Sequence, residues 1–529
     1  MNKTLVLAAA VSASFAANPA IAAETPVKGG ELKVAIAEAM EGTRPGIDGG
    51  PWHVIQHHVA EGLVGFRDDL SIGPAAAKSF TWSPDGKRYT FVLRDGLKFH
   101  DGKPVTADDV KWAWDNIYLS DKSGYGCKSR FDGSGNMAER TIGVKIVKID
   151  VKDPKTVEFT LDKPSGVLLQ LMSEPDCLPA IISKSSFKAD GSWDKPIATG
   201  PYVLDSAEHG QPVVLKRFDG YVAPNEKGSG FAGARTAYLD TLKFIVINRD
   251  LVPEALSKGD IDFAPRVTEE KYNGLQDVDG IKVSNGPSGT AYAILMQNTD
   301  PLFKNKKLRQ AVAHAINVKE LAEATTQGRV KPNPSALPLQ SIFHTKVHDE
   351  GYKFDPALSK KLMAEAKYDG SPIKLEANRD RYPLMYPNAL LIKRMLEAVG
   401  FKVDLVERQW DEQLANYNAG KFQMQSFAYS GRRYPEANYD HFAGKKGLRT
   451  SVQWESDKAM AILDQARAEP DPAKRSKLYE QIHKLMIDDV PVVWLNQWEL
   501  YDAYRSSVHG YVPWVLHEAR FWGVWKDKA

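Results

Sequence analysis

The chain has 529 residues, a formal charge of +2 and 43% hydrophobic content, too long for one hydrophobic core and consistent with two or three lobes. The near-neutral balance excludes the basic footprint of a nucleic-acid binder. An aromatic share of 10%, with 12 Trp and 20 Tyr, supplies amphipathic side chains for large cores or for a wet cavity.

Residues 1–23, MNKTLVLAAAVSASFAANPAIAA, have a lysine near the start, an apolar middle and a small-residue finish. That is the pattern of a secretory signal peptide, cut after Ala22 or Ala23. A membrane anchor is disfavoured because the apolar run is short and breaks at Asn18-Pro19. No cysteine follows the cut, and no later run of ~18 apolar residues is uninterrupted. The mature protein is expected to be exported and soluble.

Further along, RYTFVLRDGLKFHDGKPVTADDVKWAWDN alternates Tyr89, Phe91 and Leu93 against Thr90, Val92 and Arg94, which predicts a half-buried strand. Turns follow at Asp95-Gly96 and Asp101-Gly102. Thr106 stands three residues before Asp109, the spacing of a helix-opening capping box, with Trp112 in the helix body. Cys127 and Cys177 are the only cysteines. An oxidising compartment favours joining them over leaving two thiols, and two distant cysteines without a CxxC partner make a poor metal site.

In the second half, KKLRQAVAHAINVKELAEATTQG places Leu308, Ala311, Val312, Ala315 and Ile316 on one helical face, with Gly328 beyond the end. Asp355 and Pro356 open another helix with Leu358, Leu362 and Ala366 as its expected buried stripe. A third carries Leu391, Met395 and Val399 in register, stops at Gly400 and passes into a strand over 401–406. Helix–Gly–strand units of this kind build α/β lobes. No internal repeat and no low-complexity linker marks a border.

Catalytic motifs are absent or incomplete. The chain lacks G-x-S-x-G, G-x-x-x-x-G-K-[ST] and H-E-x-x-H. Ser185 and Lys188 match S-x-x-K, but neither S-D-N nor K-T-G accompanies them. His53 and His57 are four apart and would share a helix face, yet no cysteine lies near and only Glu61 continues that face. A helix surface carrying polar histidines is the expected account. No catalytic residue, metal ligand or cofactor emerges.

The run YTFVLRDGLKFHDGKPVTADDV (89–110) resembles the signature of the periplasmic substrate-binding proteins of peptide/nickel-type ABC importers, solute-binding family 5. Further blocks follow in the family's order: EGLVGF (61–66) before it, then ATGPYVL (198–204), ALSKGDIDFAP (255–265), NTDPLFKNKKLRQAVAHAIN (298–317) and VPVVWL (490–495). The resemblance spans essentially all of the mature chain. It implies an α/β, two-lobed periplasmic-binding-protein fold with a hinge and an extra domain inserted in the first lobe. The expected division is 24–61, 187–284 and 497–529 as a discontinuous first domain, 62–186 as the insert and 285–496 as the second lobe. It also implies a monomer that binds a small molecule or peptide between its lobes and delivers it to inner-membrane permease subunits.

The stretch FAYSGRRYPEANYDHF (427–442) carries the sharpest expectation. In peptide-binding relatives the matching segment reads aromatic-x-x-Asp, and the aspartate pairs with the peptide's ammonium. Here Tyr429-Ser430-Gly431-Arg432 occupies that frame, so an arginine stands where the acid is expected. A guanidinium suits a carboxylate or phosphate, which points to opines, sugar phosphates or acylated or acidic peptides. Arg433 is the second choice, and Tyr429 is expected to pack beside the arginine. Alternatively the pair lies on a solvated loop, neutralised by Glu436 or Asp440. Softer ligand candidates are Arg379 and Arg381, the glycine-rich loop 38–52, Asn496, Gln497 and Trp498. A secreted hydrolase and a nickel or haem carrier are the rival readings.

Overall fold

The computed structural model describes residues 25–135, 142–516 and 518–528; the signal-peptide reading of 1–23 lies outside them. One ten-stranded sheet runs through the molecule. At one end Glu31–Ile36 lies parallel to Thr241–Val246 and to Phe263–Val267, and Val213–Arg217 and Tyr202–Ser206 complete the edge. At the other end Ile373–Ala377 lies parallel to Val403–Glu407 and to Met424–Tyr429. Two long antiparallel strands, Ile281–Met296 and Val492–Arg505, belong to both ends. Their pairing register breaks between Pro287 and Ala291 and again between Ala291 and Ala293. Such breaks bend and twist a ladder locally, and here they fall where one α/β lobe gives way to the other.

Each lobe has its own core. Leu32, Trp52, Phe244 and Phe521 anchor the first. Tyr292, Ile294, Leu375 and Leu396 anchor one face of the second, and Leu295, Tyr417, Trp454 and Ile482 the other. A four-stranded antiparallel sheet, ordered Ala77–Trp82, Arg88–Leu93, Thr156–Leu161, Ile146–Asp153, forms the insert. Its core around Phe91, Trp114 and Phe159 also takes in Tyr434 and Trp514, so the insert packs on both lobes.

Several expected elements are present as read. Arg88–Leu93 is a strand with Tyr89, Phe91 and Leu93 buried. The helix Ala107–Ala113 opens with a capping box: the Thr106 N–H and hydroxyl both donate to Asp109 Oδ2, at 2.9 and 2.8 Å. Cys127 and Cys177 are joined in a disulfide, and closing a loop of sequence separation 50 stabilises a fold by ~4 kcal/mol on the chain-entropy model.

Others differ. The single helix expected across 306–327 is two, Lys306–Ala315 and Val318–Thr326. Ile316 turns extended and Asn317 caps the second helix, its side chain accepting from Glu320 N. In Pro356–Glu365 the fully buried residues are Ser359 and Met363 rather than Leu358, Leu362 and Ala366. The Ser359 hydroxyl donates to Ala311 O at 2.7 Å, which turns that face inward. In Met385–Val399 the buried stripe is Asn388, Ala389, Ile392, Leu396 and Val399, leaving Leu391 and Met395 half-buried.

Candidate functional site

The strand Met424–Tyr429 ends at the junction of the lobes, and residues 430–433 run out of it across a cavity of about 320 Å³. The cavity wall is drawn from the whole chain. The first lobe supplies Gly50, His53 and Arg266, the insert supplies Asp176, the crossover strand supplies Gly289 and Thr290, and the C-terminal segment supplies Glu518. A second cavity of about 300 Å³ shares Gly50, His53, Val54 and Arg266 with it. Its wall is mostly apolar, built on Val34, Ile36, Phe244 and Val252, with Glu38, Arg249 and Lys271 as charged members. A small polar chamber beside an apolar one fits a ligand with charged and hydrophobic parts.

Backbone proximity fixes the loop. A Cβ on Gly431 would lie 2.4 Å from the carbonyl carbon of Gly289 and 2.8 Å from the Thr290 nitrogen, so only glycine fits. Gly431 N donates to Thr290 Oγ1 at 3.3 Å, and Asn438 Nδ2 donates to the carbonyls of Arg432 and Tyr434 at 3.2 Å each. Ser430 and Arg432 are left exposed on the cavity wall. Gly431→Ala should therefore push the loop off the crossover strand. The expected cost is ~1–3 kcal/mol, as for overpacking against atoms that cannot yield, together with weaker solute binding. An unchanged denaturation midpoint with unchanged affinity would show that the close approach is not needed.

The two arginines have different surroundings. Arg433 lies 3.1 Å from both Glu174 Oε2 and Asp176 Oδ2 of the insert. Burial disfavours its charge, but those two carboxylates outweigh burial and raise its pKa. Burial likewise pushes Asp176 up, while Arg433 and then His53 outweigh it and hold the carboxyl below its usual range. His53 Nδ1 stands 3.8 Å from Asp176 Oδ1. Glu436 and Asp440, the acids expected beside the pair, are engaged elsewhere. Glu436 pairs with Arg475 at 2.6 Å and accepts from the Tyr479 hydroxyl, and Asp440 pairs with Arg467 at 2.6 Å. Burial, partly offset by Arg467 and Arg449, brings Asp440 to about 6.

The remaining candidates scatter. Tyr429 is buried among Tyr417, Phe427, His441 and Trp494, and its hydroxyl donates to Gln453 Oε1 at 2.8 Å; it lines neither cavity. Gln497 spends both ends of its amide inside the fold, donating to Ser288 O at 2.7 Å and accepting from Leu339 N at 3.1 Å. Trp498 packs edge-on to Tyr382 with ring centroids 5.8 Å apart. Arg379 pairs with Glu407 at 2.8 Å and lies 3.4 Å from the centre of the Tyr386 ring, and Arg381 sits over Tyr382. Neither arginine lines the two cavities.

Of the three histidines at 53–58, His53 is half-buried and the other two are not surface residues. His57 and His58 are buried, His57 stacked on Phe231 and His58 accepting from Phe521 N at 3.1 Å. Burial pushes both below the ordinary histidine value, His58 to about 3, so both serve as neutral packing groups. Among the described residues no group of three or more His, Cys, Asp or Glu is placed to hold a metal ion. Ser185 of the S-x-x-K match accepts from Lys103 Nζ at 3.0 Å.

Sequence reasoning missed Arg266, Asp176, Thr290 and Glu518, and it treated His53 only as a metal candidate. Arg266 has φ +56, unusual for a residue with a side chain, where the pairing register shifts between Ala264 and Val267. Backbone strain of this kind persists where the surrounding structure enforces it and is frequent at binding sites.

With this geometry, similarity to known proteins can be placed on residues. The model of the bacterial extracellular solute-binding proteins, family 5 Middle, matches residues 71–447. The dipeptide-binding protein of Escherichia coli (strain K12) is 28% identical over 501 residues, covering 87% of this chain and 88% of the relative. The dipeptide-binding protein DppE of Bacillus subtilis (strain 168) is 26% identical over 462 residues, covering 83% and 81%. The structure of HbpA2 from Haemophilus parasuis superposes with a TM-score of 0.78 at 21% identity, covering 94% of this chain and 100% of that one. The matched segment includes the strand–turn–helix run from Arg88, the insert with its disulfide, the crossover strand from Ile281 and the loop at 430–433. The chain belongs to family 5 of the bacterial extracellular solute-binding proteins.

Proposed function

We propose that this protein is the periplasmic solute-binding component of an ABC importer. It takes up a peptide or a peptide-like, opine-like solute bearing an anionic group and hands it unchanged to inner-membrane permease subunits. The observation that carries this reading is the cavity crossed by residues 430–433, whose wall comes from both lobes and the insert and carries the exposed Arg432. A guanidinium presents a planar fork of donors that matches a carboxylate or phosphate bidentately. The apolar cavity beside it would take the solute's hydrophobic part. The register breaks between Pro287 and Ala293 supply a bending point for two lobes closing on a solute. They support a division in which the first domain is discontinuous and 285–496 is the second lobe, and the separate four-stranded sheet supports 62–186 as the insert.

The test is thermal denaturation with candidate solutes, followed by recovery of the solute. A cognate solute at about 100 times its dissociation constant should stabilise the fold by ~2.7 kcal/mol and should be recovered with its mass unchanged. Conversion of the solute by clean protein would overturn the carrier reading in favour of a hydrolase.

A further inference from the structure

Glu518 is a buried acid on the cavity wall. Its residue is 7% exposed, and its Oε2 has no hydrogen-bond partner among the described residues. The groups packed around it are Arg266 from the strand Phe263–Val267, Arg433 from the 430–433 loop, Asp176 from the insert, and His53 across the same cavity. On its other side Asp502 and Tyr511 line a small adjoining pocket. Those last two are occupied with each other: the Tyr511 hydroxyl donates to Asp502 Oδ2 at 2.7 Å, and Arg266 N donates to Asp502 Oδ1 at 2.9 Å. Arg433 directs its guanidinium at Glu174 and Asp176.

A carboxyl taken out of water without donors is costly to ionise. Burial raises Glu518 to about 7; Arg266 and Arg433 offset this in part, while Asp176 adds to it. The acid thus stands at the cavity with an oxygen for which the described residues supply no donor.

We propose that Glu518 receives a cationic group of the solute, a protonated amine, so that the solute is a zwitterion with its amine at Glu518 and its anion at Arg432. This rests on the cavity being the solute site and specifies the class of solute. An arriving ammonium supplies the missing donor to Oε2 and adds a positive charge to the partial compensation from Arg266 and Arg433, and Glu518 then ionises in the complex. Where the free protein holds Glu518 protonated, binding releases that proton to solvent. Affinity for an amine-bearing solute therefore falls as pH drops below about 7 and levels off above it.

The probes are a library of natural dipeptides, the same library N-acetylated, and amine-free di- and tricarboxylates, measured by native mass spectrometry and calorimetry between pH 5.5 and 8. The free-amine members should bind at least about tenfold more tightly than their acetylated forms, the scale expected when a buried charge loses its partner. Glu518→Gln should remove both that preference and the fall in affinity toward acid pH, which separates Glu518 from His53. The free-versus-acetylated comparison on the wild-type protein stands even if the variant folds poorly. Acetylated members binding as well as free ones, a preference that survives in Glu518→Gln, or no binding by any free-amine member would each overturn the proposal. Tight binding of amine-free carboxylates that disappears in Arg432→Ala would overturn it while leaving the cavity reading intact. Solute binding indifferent to Arg432→Ala would count against the cavity reading itself.

Discussion

Replacing Arg432 with alanine should weaken solute binding by roughly thirtyfold or more, the low end of the ~2–5 kcal/mol that follows loss of one partner of a desolvated, hydrogen-bonded charge pair. The side chain is exposed on the cavity wall, so the ligand-free protein should keep its stability within about 0.5 kcal/mol. Arg432→Lys should restore binding only in part, because an ammonium keeps the charge and loses the planar fork. Arg379→Ala and Arg381→Ala are the controls, since Arg379 is held by Glu407 and Tyr386, and Arg381 lies over Tyr382. Calorimetry on the four variants decides the matter. Wild-type affinity in Arg432→Ala would remove that guanidinium from the site.

A larger stability effect is expected at Arg475. Its Nη2 lies 2.6 Å from Glu436 Oε1, its Nη1 donates to Gly166 O at 2.6 Å, and its Nε donates to the Tyr479 hydroxyl at 3.2 Å. The two charged side chains are 1% and 0% exposed. Both burial and its partners act on Arg475: burial disfavours the charge, and Glu436 then Tyr479 outweigh it and raise the pKa. Arg475→Met leaves the Glu436 carboxylate buried without its countercharge, which typically costs ~3–5 kcal/mol. That is a large fraction of the ~5–15 kcal/mol that separates folded from unfolded chains. It also removes the hydrogen bond that Arg475 donates to Gly166 O of the insert, leaving Gly166 N donating to Arg467 O at 2.6 Å. Removing both charges in Arg475→Met/Glu436→Leu should recover much of the loss, because the desolvation penalty goes with the pair. Urea denaturation measures both. An unshifted midpoint in the single variant would mean that the pair contributes nothing net.

What could be read from the sequence was what is local. The alternation at Tyr89–Phe91–Leu93, the capping box at Thr106 and Asp109, and the lone cysteine pair each depend on neighbours or on elimination, and each is present. The family and the two-lobed fold followed from blocks in a fixed order. Helical periodicity gave helices but not their rotation. Leu362 and Met363 are adjacent, and which one faces inward is set by Ser359 meeting Ala311 across the helix pair. Partners far apart in the chain were out of reach. Arg433 meets acids 257 and 259 positions away, whereas sequence reasoning could offer only Glu436 and Asp440 nearby. The buried histidines were misread because His57 and His58 become packing groups only when Phe231 and Phe521 arrive from elsewhere. Glu518 sits in no motif at all; what singles it out is an oxygen with no hydrogen-bond partner among the described residues.

Native mass spectrometry of freshly isolated protein, before and after denaturing release of whatever it holds, tests solute carriage most directly. The expected result is a single small solute per protein, bearing an anionic group, that rebinds the refolded protein with its mass unchanged. It should fail to rebind Arg432→Ala at the same concentration. A released molecule that the protein converts to a product on re-addition, or one that rebinds Arg432→Ala as tightly as wild type, would contradict capture of an anionic solute at this cavity.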